Sequence, residues 1–162
     1  MVELVPMTEA EFEAFMEISM RDQAQGQVQA GNWPAEQADE LIKQLRDQFL
    51  PGDLDTPNHF FFTIKDPDSG AEVGGLWYTV MEEDGNRFLF VVDIQVDEAY
   101  RRRGYGTQAF GMMEDQAREM GITTISLHVF KHNHSARAMY EKLGYVGANN
   151  MMAKELGAGS EE

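Results

Sequence analysis

Three consecutive cations run into two closely spaced glycines at Arg101-Arg102-Arg103-Gly104-Tyr105-Gly106-Thr107, between an apolar stretch ending at Val96 and an amphipathic stretch through Phe110. A turn of this composition leading into a helix presents backbone N–H groups where the unsatisfied donors and the helix dipole favour an anion. Neighbouring guanidinium groups add charge-assisted donors suited to phosphate. The bland alternative is a strand-to-helix turn with solvated arginines. A third reading comes from Gly104-Tyr105-Gly106-Thr107-Gln108-Ala109, which fits the Gly-x-Gly-x-x-Gly/Ala dinucleotide fingerprint. That reading fails twice: Thr124 to Phe130 holds no acidic residue for a ribose, and the 56 residues after Gly106 are too few for the rest of a doubly wound domain.

Polar side chains that could act beside a bound phosphate follow downstream. Asn133 and Tyr140 are seven residues apart, two helical turns, so they share a helix face. A phenol there can serve as a proton donor, yet Tyr140 also continues the apolar stripe Ala136, Met139 and Leu143, and Asn133 also suits a helix N-cap. Strand alternation sets Ser126 and His128 opposite Ile125, Leu127 and Val129, and sets Asp93 and Gln95 opposite Val92, Ile94 and Val96. His128, with an ordinary imidazole pKa of about 6.5, and Asp93 acting through water are the candidate bases, with structural roles as the alternative for each. His132 and His134 form no ligand set with a nearby carboxylate at a recognised spacing, so no metal is expected.

These residues need elements to hold them. Thr8-Glu9-Ala10-Glu11 is a capping box that opens a helix expected to run to about residue 23, where a Gln/Gly stretch to Gly31 ends it. Trp33-Pro34 starts a second helix whose Ala38, Leu41, Ile42, Leu45 and Phe49 recur as a buried stripe. Stretches at 60–64, 73–81 and 87–96 are rich in aromatic and β-branched residues and broken by Asp/Gly/Pro turns, which reads as a three-stranded antiparallel meander. A helix over 104–120, a strand over 123–130, a helix over 135–143 and one or two closing strands in 145–156 complete the order. With a strand at 2–6, the sequence predicts an α/β (α+β) fold with a mixed, mostly antiparallel sheet in which strands 87–96 and 123–130 run parallel. One domain over 1–156 and a polar, disordered tail at 157–162 are expected.

Composition narrows the chemistry. The chain has 162 residues, which suits one compact domain. It contains no cysteine, which removes thiolate nucleophiles, thiolate metal sites and a disulfide framework, and points to the cytoplasm. No basic, apolar leader opens the chain, and no window approaches the roughly 18–20 apolar residues of a membrane helix, so neither secretion nor a membrane is expected. The net charge is −15, repulsive to a nucleic-acid backbone. Residues 1–100 carry 5 basic and 21 acidic side chains, net −16, while 101–162 carry 8 and 7, net +1. An anionic ligand belongs in the second part and a cationic one in the first, and the acidic field should hold the His128 pKa at or above its ordinary value.

The stretch Asp93-Ile-Gln-Val-Asp-Glu-Ala-Tyr-Arg-Arg-Arg-Gly-Tyr-Gly-Thr, followed by Leu127-His-Val-Phe-Lys-His-Asn133-His-Ser-Ala136-Arg-Ala-Met-Tyr140-Glu-Lys-Leu-Gly-Tyr145, resembles the GCN5-related N-acetyltransferase (GNAT) superfamily over residues 73–156. The resemblance implies the acyl-CoA N-acyltransferase fold and acetyl-CoA as co-substrate. It implies that backbone N–H groups of Arg102 to Thr107 wrap the pyrophosphate with help from Arg101, Arg102 and Arg103. By the same likeness, backbone groups at Ile94, Gln95 and Val96 take the pantetheine arm and the acetyl carbonyl, Asn133 and Ala136 lie along that arm, and Tyr140 is the general acid. His128 departs from the catalytic Glu that some members acetylating protein N-termini carry at this place. The two N-terminal helices fit the variable acceptor region, toward which Met151 and Met152 also point.

The implied function is transfer of the acetyl group from acetyl-CoA directly to a primary amine of a small molecule or peptide, arriving as a cation. A non-catalytic CoA-binding sensor of the same fold is the alternative. The sequence is compatible with a monomer or a homodimer.

Overall fold

The computed structural model describes residues 1–147 and 150–157. Strand β1 (Glu3–Pro6) leads to helices α1 (Glu9–Gln29) and α2 (Ala38–Phe49), then the meander β2 (His59–Lys65), β3 (Glu72–Glu83) and β4 (Asn86–Val96). Helix α3 (Tyr105–Glu119), strand β5 (Thr124–His128), helix α4 (His134–Lys142) and strand β6 (Met151–Glu155) follow. The six strands lie in chain order in one sheet, antiparallel except for the parallel β4–β5 pair. From residue 158 on, the tail expected to be disordered lies outside the described residues, as do Ala148 and Asn149 of the closing segment.

Alternation along β3 divides the core between the two faces of the sheet. Leu76 and Tyr78 pack with Leu89, Val91, Ile125 and Leu127 beneath Ala109, Phe110 and Met113 of α3. Trp77 faces the other way and packs with Phe61 under Phe12, Phe15 and Met16 of α1. The capping box is present: Thr8 Oγ1 accepts from Glu11 N at 3.1 Å, and Thr8 N donates to Glu11 Oε1 at 2.9 Å. Glu11 also accepts from Thr63 Oγ1 at 3.1 Å, which ties the start of α1 to β2. Below α4, the buried Glu114 carboxylate accepts from Tyr145 Oη at 3.1 Å and Lys154 Nζ at 3.1 Å, joining α3 to the chain that follows α4 and to β6.

The N-terminal helices depart from the sequence expectation. Helix α1 continues to Gln29 rather than stopping near residue 23. Gly26 does not break it, because it is buried against the Phe130 ring, which occupies the space a Cβ would take. Pro34 stays outside the helix in an extended conformation, and a 3-10 turn over Ala35–Gln37 precedes α2. The α2 stripe is not buried as expected: Ala38 is buried, but Leu41, Ile42 and Phe49 are half-buried and Leu45 is 47% exposed.

The parallel pairing is short. It runs from Leu89 with Ile125 through Val91 with Leu127, and β4 then continues to Val96 with no partner on that side. A bulge falls at this point: Trp77 pairs with Asp93 and Tyr78 with Val91, leaving Val92 as the extra residue. Val92 therefore packs with the Trp77 cluster on the same face as Asp93, not opposite to it as simple alternation predicts. On the other edge β3 stays close to the end of β4 because Gly74 has no side chain; a Cβ there would overlap the Gln95 carbonyl. Gly74→Val should therefore destabilise the protein by about 2 kcal/mol or more, since backbone cannot yield as a side chain can. Urea unfolding measures this, and a loss under about 0.5 kcal/mol would contradict it.

Candidate active site

Where β4 and β5 part, the sheet opens into a cleft of about 1700 Å³. Helices α1 and α2 form one wall, and the loop before α3 together with α4 forms the other. Asp93, Ile94, Gln95, Val96, Arg101, Arg102, Gly104, Tyr105, Gly106, Thr107, His128, Asn133, Ala136 and Tyr140 all line it. Arg103 does not; its guanidinium lies over the Tyr100 ring at 5.7 Å.

The glycine-containing loop is a helix N-terminus held in a particular turn. Gly104 is the N-cap of α3 with φ +85°, a left-handed conformation that glycine adopts without strain. Arg102 is also left-handed, at φ +66°, where a side chain carries a steric cost. Two side chains brace the turn. Arg101 Nε donates to the Val96 carbonyl at 2.8 Å, and Tyr105 Oη donates to Asp66 Oδ2 in the β2–β3 turn at 2.8 Å. The Tyr105 hydrogen bond lowers the pKa of the Asp66 carboxyl. Gly106 faces Val96 and Met139 at ordinary contact distance, so a larger residue would intrude where α3, α4 and the end of β4 meet.

Asp93 sits on the α1 face inside a network. Gln95 Nε2 donates to Asp93 Oδ2 at 3.1 Å and to the Phe15 carbonyl of α1 at 3.2 Å. The fully buried Ser19 also hydrogen-bonds Asp93, and its hydroxyl accepts from Gln23 Nε2 at 3.2 Å. Burial raises the Asp93 pKa, opposed by the hydrogen bonds of Ser19 and Gln95. Ser19 was not foreseen, although a serine continuing the stripe Phe12, Phe15, Met16 is a polar group on a buried face and needs a partner.

Tyr140 packs against Phe110 at 5.7 Å and Tyr145 at 6.4 Å, and its hydroxyl has no hydrogen-bond partner among the described residues. Burial, aided by the negative charge of Asp93, pushes its pKa up to about 12. Tyr140 is thus packed against the core and also lines the cleft. Asn133 caps α4, its Oδ1 accepting from Ala136 N at 3.3 Å, and it too lines the cleft.

His128 lies at the end of β5 with its ring edge-on to Phe130 at 4.8 Å. Partial desolvation lowers its pKa from 6.5. The expectation that acidic surroundings would hold it at or above that value is corrected: loss of water beside the ring outweighs the distant carboxylates. Met151 lines the cleft, but Met152 is buried in the core rather than in a pocket. Among the described residues, no three His, Asp or Glu side chains converge as a metal site requires, and no helix is long and apolar enough to cross a membrane.

Comparison with known proteins agrees with this geometry. YycN of Bacillus subtilis, an uncharacterised N-acetyltransferase, is 37% identical over 153 residues, covering 94% of this chain and 97% of its own. A second such protein of that organism, YdgE, is 34% identical with the same coverage of both chains. The YycN crystal structure superposes with a TM-score of 0.85 over 96% of this chain and 99% of that one, at 36% identity. The PaiA N-acetyltransferase of Thermoplasma acidophilum, solved with coenzyme A, shares the fold at a TM-score of 0.65 and 15% identity, covering 96% and 99%. The acetyltransferase (GNAT) family profile matches residues 12–145. With its family profile match, its relatives and its fold, the chain is a member of the GNAT acetyltransferase family.

Proposed function

We propose that the chain binds acetyl-CoA along the edge of β4 and transfers its acetyl group directly to a primary amine that arrives as a cation. One observation carries this reading: the anion-ready N-terminus of α3 and the unpaired end of β4 open into the same cleft as Tyr140, His128 and Asp93. A coenzyme A complex in a protein of this fold supports the choice of co-substrate. The chain's own groups suit it. Backbone N–H groups from Arg102 to Thr107 supply donors for a pyrophosphate, with Arg101 and Arg102 beside them. The edge of β4 from Ile94 to Val96 supplies fixed backbone groups for an amide-bearing arm, and Asn133 and Ala136 border it. We place the reaction in the cytoplasm and expect no nucleic-acid or membrane partner.

Acetyl-CoA supplies an acyl group already activated as a thioester. Donors fixed on β4 polarise its carbonyl without reorganising. The Asp22 carboxylate, which lines the cleft with Asp93, attracts the ammonium head. His128 accepts the ammonium proton; its lowered pKa keeps it neutral near pH 7 and able to do so. The amine nitrogen bonds to the carbonyl carbon as the carbon–sulfur bond breaks, Tyr140 gives its proton to the departing sulfur, and the second proton released by the acylated nitrogen restores the phenol through solvent. A phenol with a pKa of about 12 remains protonated throughout the neutral range. The sensor alternative leaves the groups in the cleft without a role. Thiol release from acetyl-CoA with a panel of amines tests the proposal, and binding without release with any amine would overturn it.

Tyr140→Phe keeps the packing and removes the proton, so kcat should fall by roughly 10²-fold with acetyl-CoA affinity and stability retained. Survival of kcat within about twofold, with chemistry rate-limiting, would leave Tyr140 a packing residue. The pH dependence has a definite sign. His128 loses its capacity to accept a proton as pH falls through its lowered pKa, so the acidic limb of kcat/KM should lie below about 6.5. His128→Ala should remove that limb and slow transfer. A profile unmoved by His128→Ala but moved by Asp93→Asn would assign the base to Asp93 through water.

A further inference from the structure

The acceptor wall carries apolar surface that the reaction itself does not require. Ile42, Leu45 and Phe49 of α2 line the cleft, with Leu45 47% exposed, and Ile18 of α1, 37% exposed, lies beside them. A second cavity of about 530 Å³ lies between α1 and α2 and shares Met20 and Ile42 with the cleft. The two helices are thus parted along a gap that begins in the cleft, apolar at Met20, Ala24, Val28, Ala38 and Ile42 and bordered by Arg21 and Asp39. Asp22 and Asp93 line the same cleft as these apolar side chains.

We propose that the acceptor is an amphipathic amine: a primary ammonium head near Asp93 and Asp22, on an unbranched apolar chain lying against Ile18, Ile42 and Leu45 and entering the gap between α1 and α2. This rests on the acetyl-transfer reading above and names its substrate class. The acidic head site attracts any cation, so the charge alone selects an ammonium but not its body. The body is selected because solvent-exposed apolar walls gain only when an apolar group covers them.

The test is kcat/KM across n-alkylamines from butyl to octyl, whose ammonium groups have nearly equal pKa values, alongside α,ω-diamines of the same lengths and a short peptide with an N-terminal leucine. Each added methylene should raise kcat/KM about threefold to fourfold, the equivalent of about 0.8 kcal/mol per buried CH₂. Leu45→Asp, a change on an exposed position, should bring octylamine down toward the butylamine value. A flat alkylamine series, diamines that outperform alkylamines, or a peptide that outperforms octylamine would each overturn the proposal while leaving amine acetylation intact. Failure to acetylate any amine would overturn both the proposal and the reading on which it rests.

Discussion

The parting of β4 from β5 is the constraint on which the rest of the structure depends. Parallel strands held in register would satisfy each other's backbone groups and leave nothing for a ligand. Here the pairing ends at Val91 and Leu127, and the bulge at Val92 bends β4 away at the next residue. Freed backbone donors and acceptors need water or a ligand, because an unpaired buried group costs about 1–3 kcal/mol. The open cleft provides that access. On its opposite edge β4 stays paired with β3 on both sides of the bulge, and Gly74 makes the close approach possible at Gln95, so the unpaired edge is displayed on a firmly held strand.

Each flanking element places one kind of chemistry against this edge. The turn at Gly104 aims the N-terminus of α3 at the cleft, braced from β2–β3 by the Tyr105–Asp66 hydrogen bond and from β4 by Arg101 on the Val96 carbonyl. Helix α1 closes over the other side through Gln95, which donates both to Asp93 and to the Phe15 carbonyl, and through Ser19. Burial therefore acts on Asp93, Tyr140 and His128 in opposite senses. It favours the neutral form of each, raising the two acids and lowering the imidazole, so that at neutral pH Tyr140 is a proton donor and His128 a proton acceptor.

Much of this is legible in the residues themselves, for local reasons. The capping box at Thr8, the turn signals of the meander and the cations and glycines before α3 are each written within a few residues, and the seven-residue spacing brings Asn133 and Tyr140 to the same cleft. What escaped depends on contacts distant in sequence. Gly26 reads as a helix breaker until Phe130, more than 100 residues away, fills its place. Periodicity shows that α2 is amphipathic but not that its apolar face borders a cleft rather than the core. The bulge that sets Val92 and Asp93 on one face has no proline or glycine to mark it. The sign of the His128 shift follows from how much water its ring loses, which net charge along the chain does not reveal.

The central claim is that the unpaired end of β4 and the N-terminus of α3 together receive the co-substrate. Backbone amide shifts of the whole chain, followed by NMR as coenzyme A is added, test it most directly. The account predicts that the largest changes fall on Ile94 to Val96 and on Arg102 to Thr107, with slowed hydrogen exchange at the β4 amides. Saturable binding that leaves both segments unchanged, or that perturbs chiefly the α1–α2 wall, would contradict it.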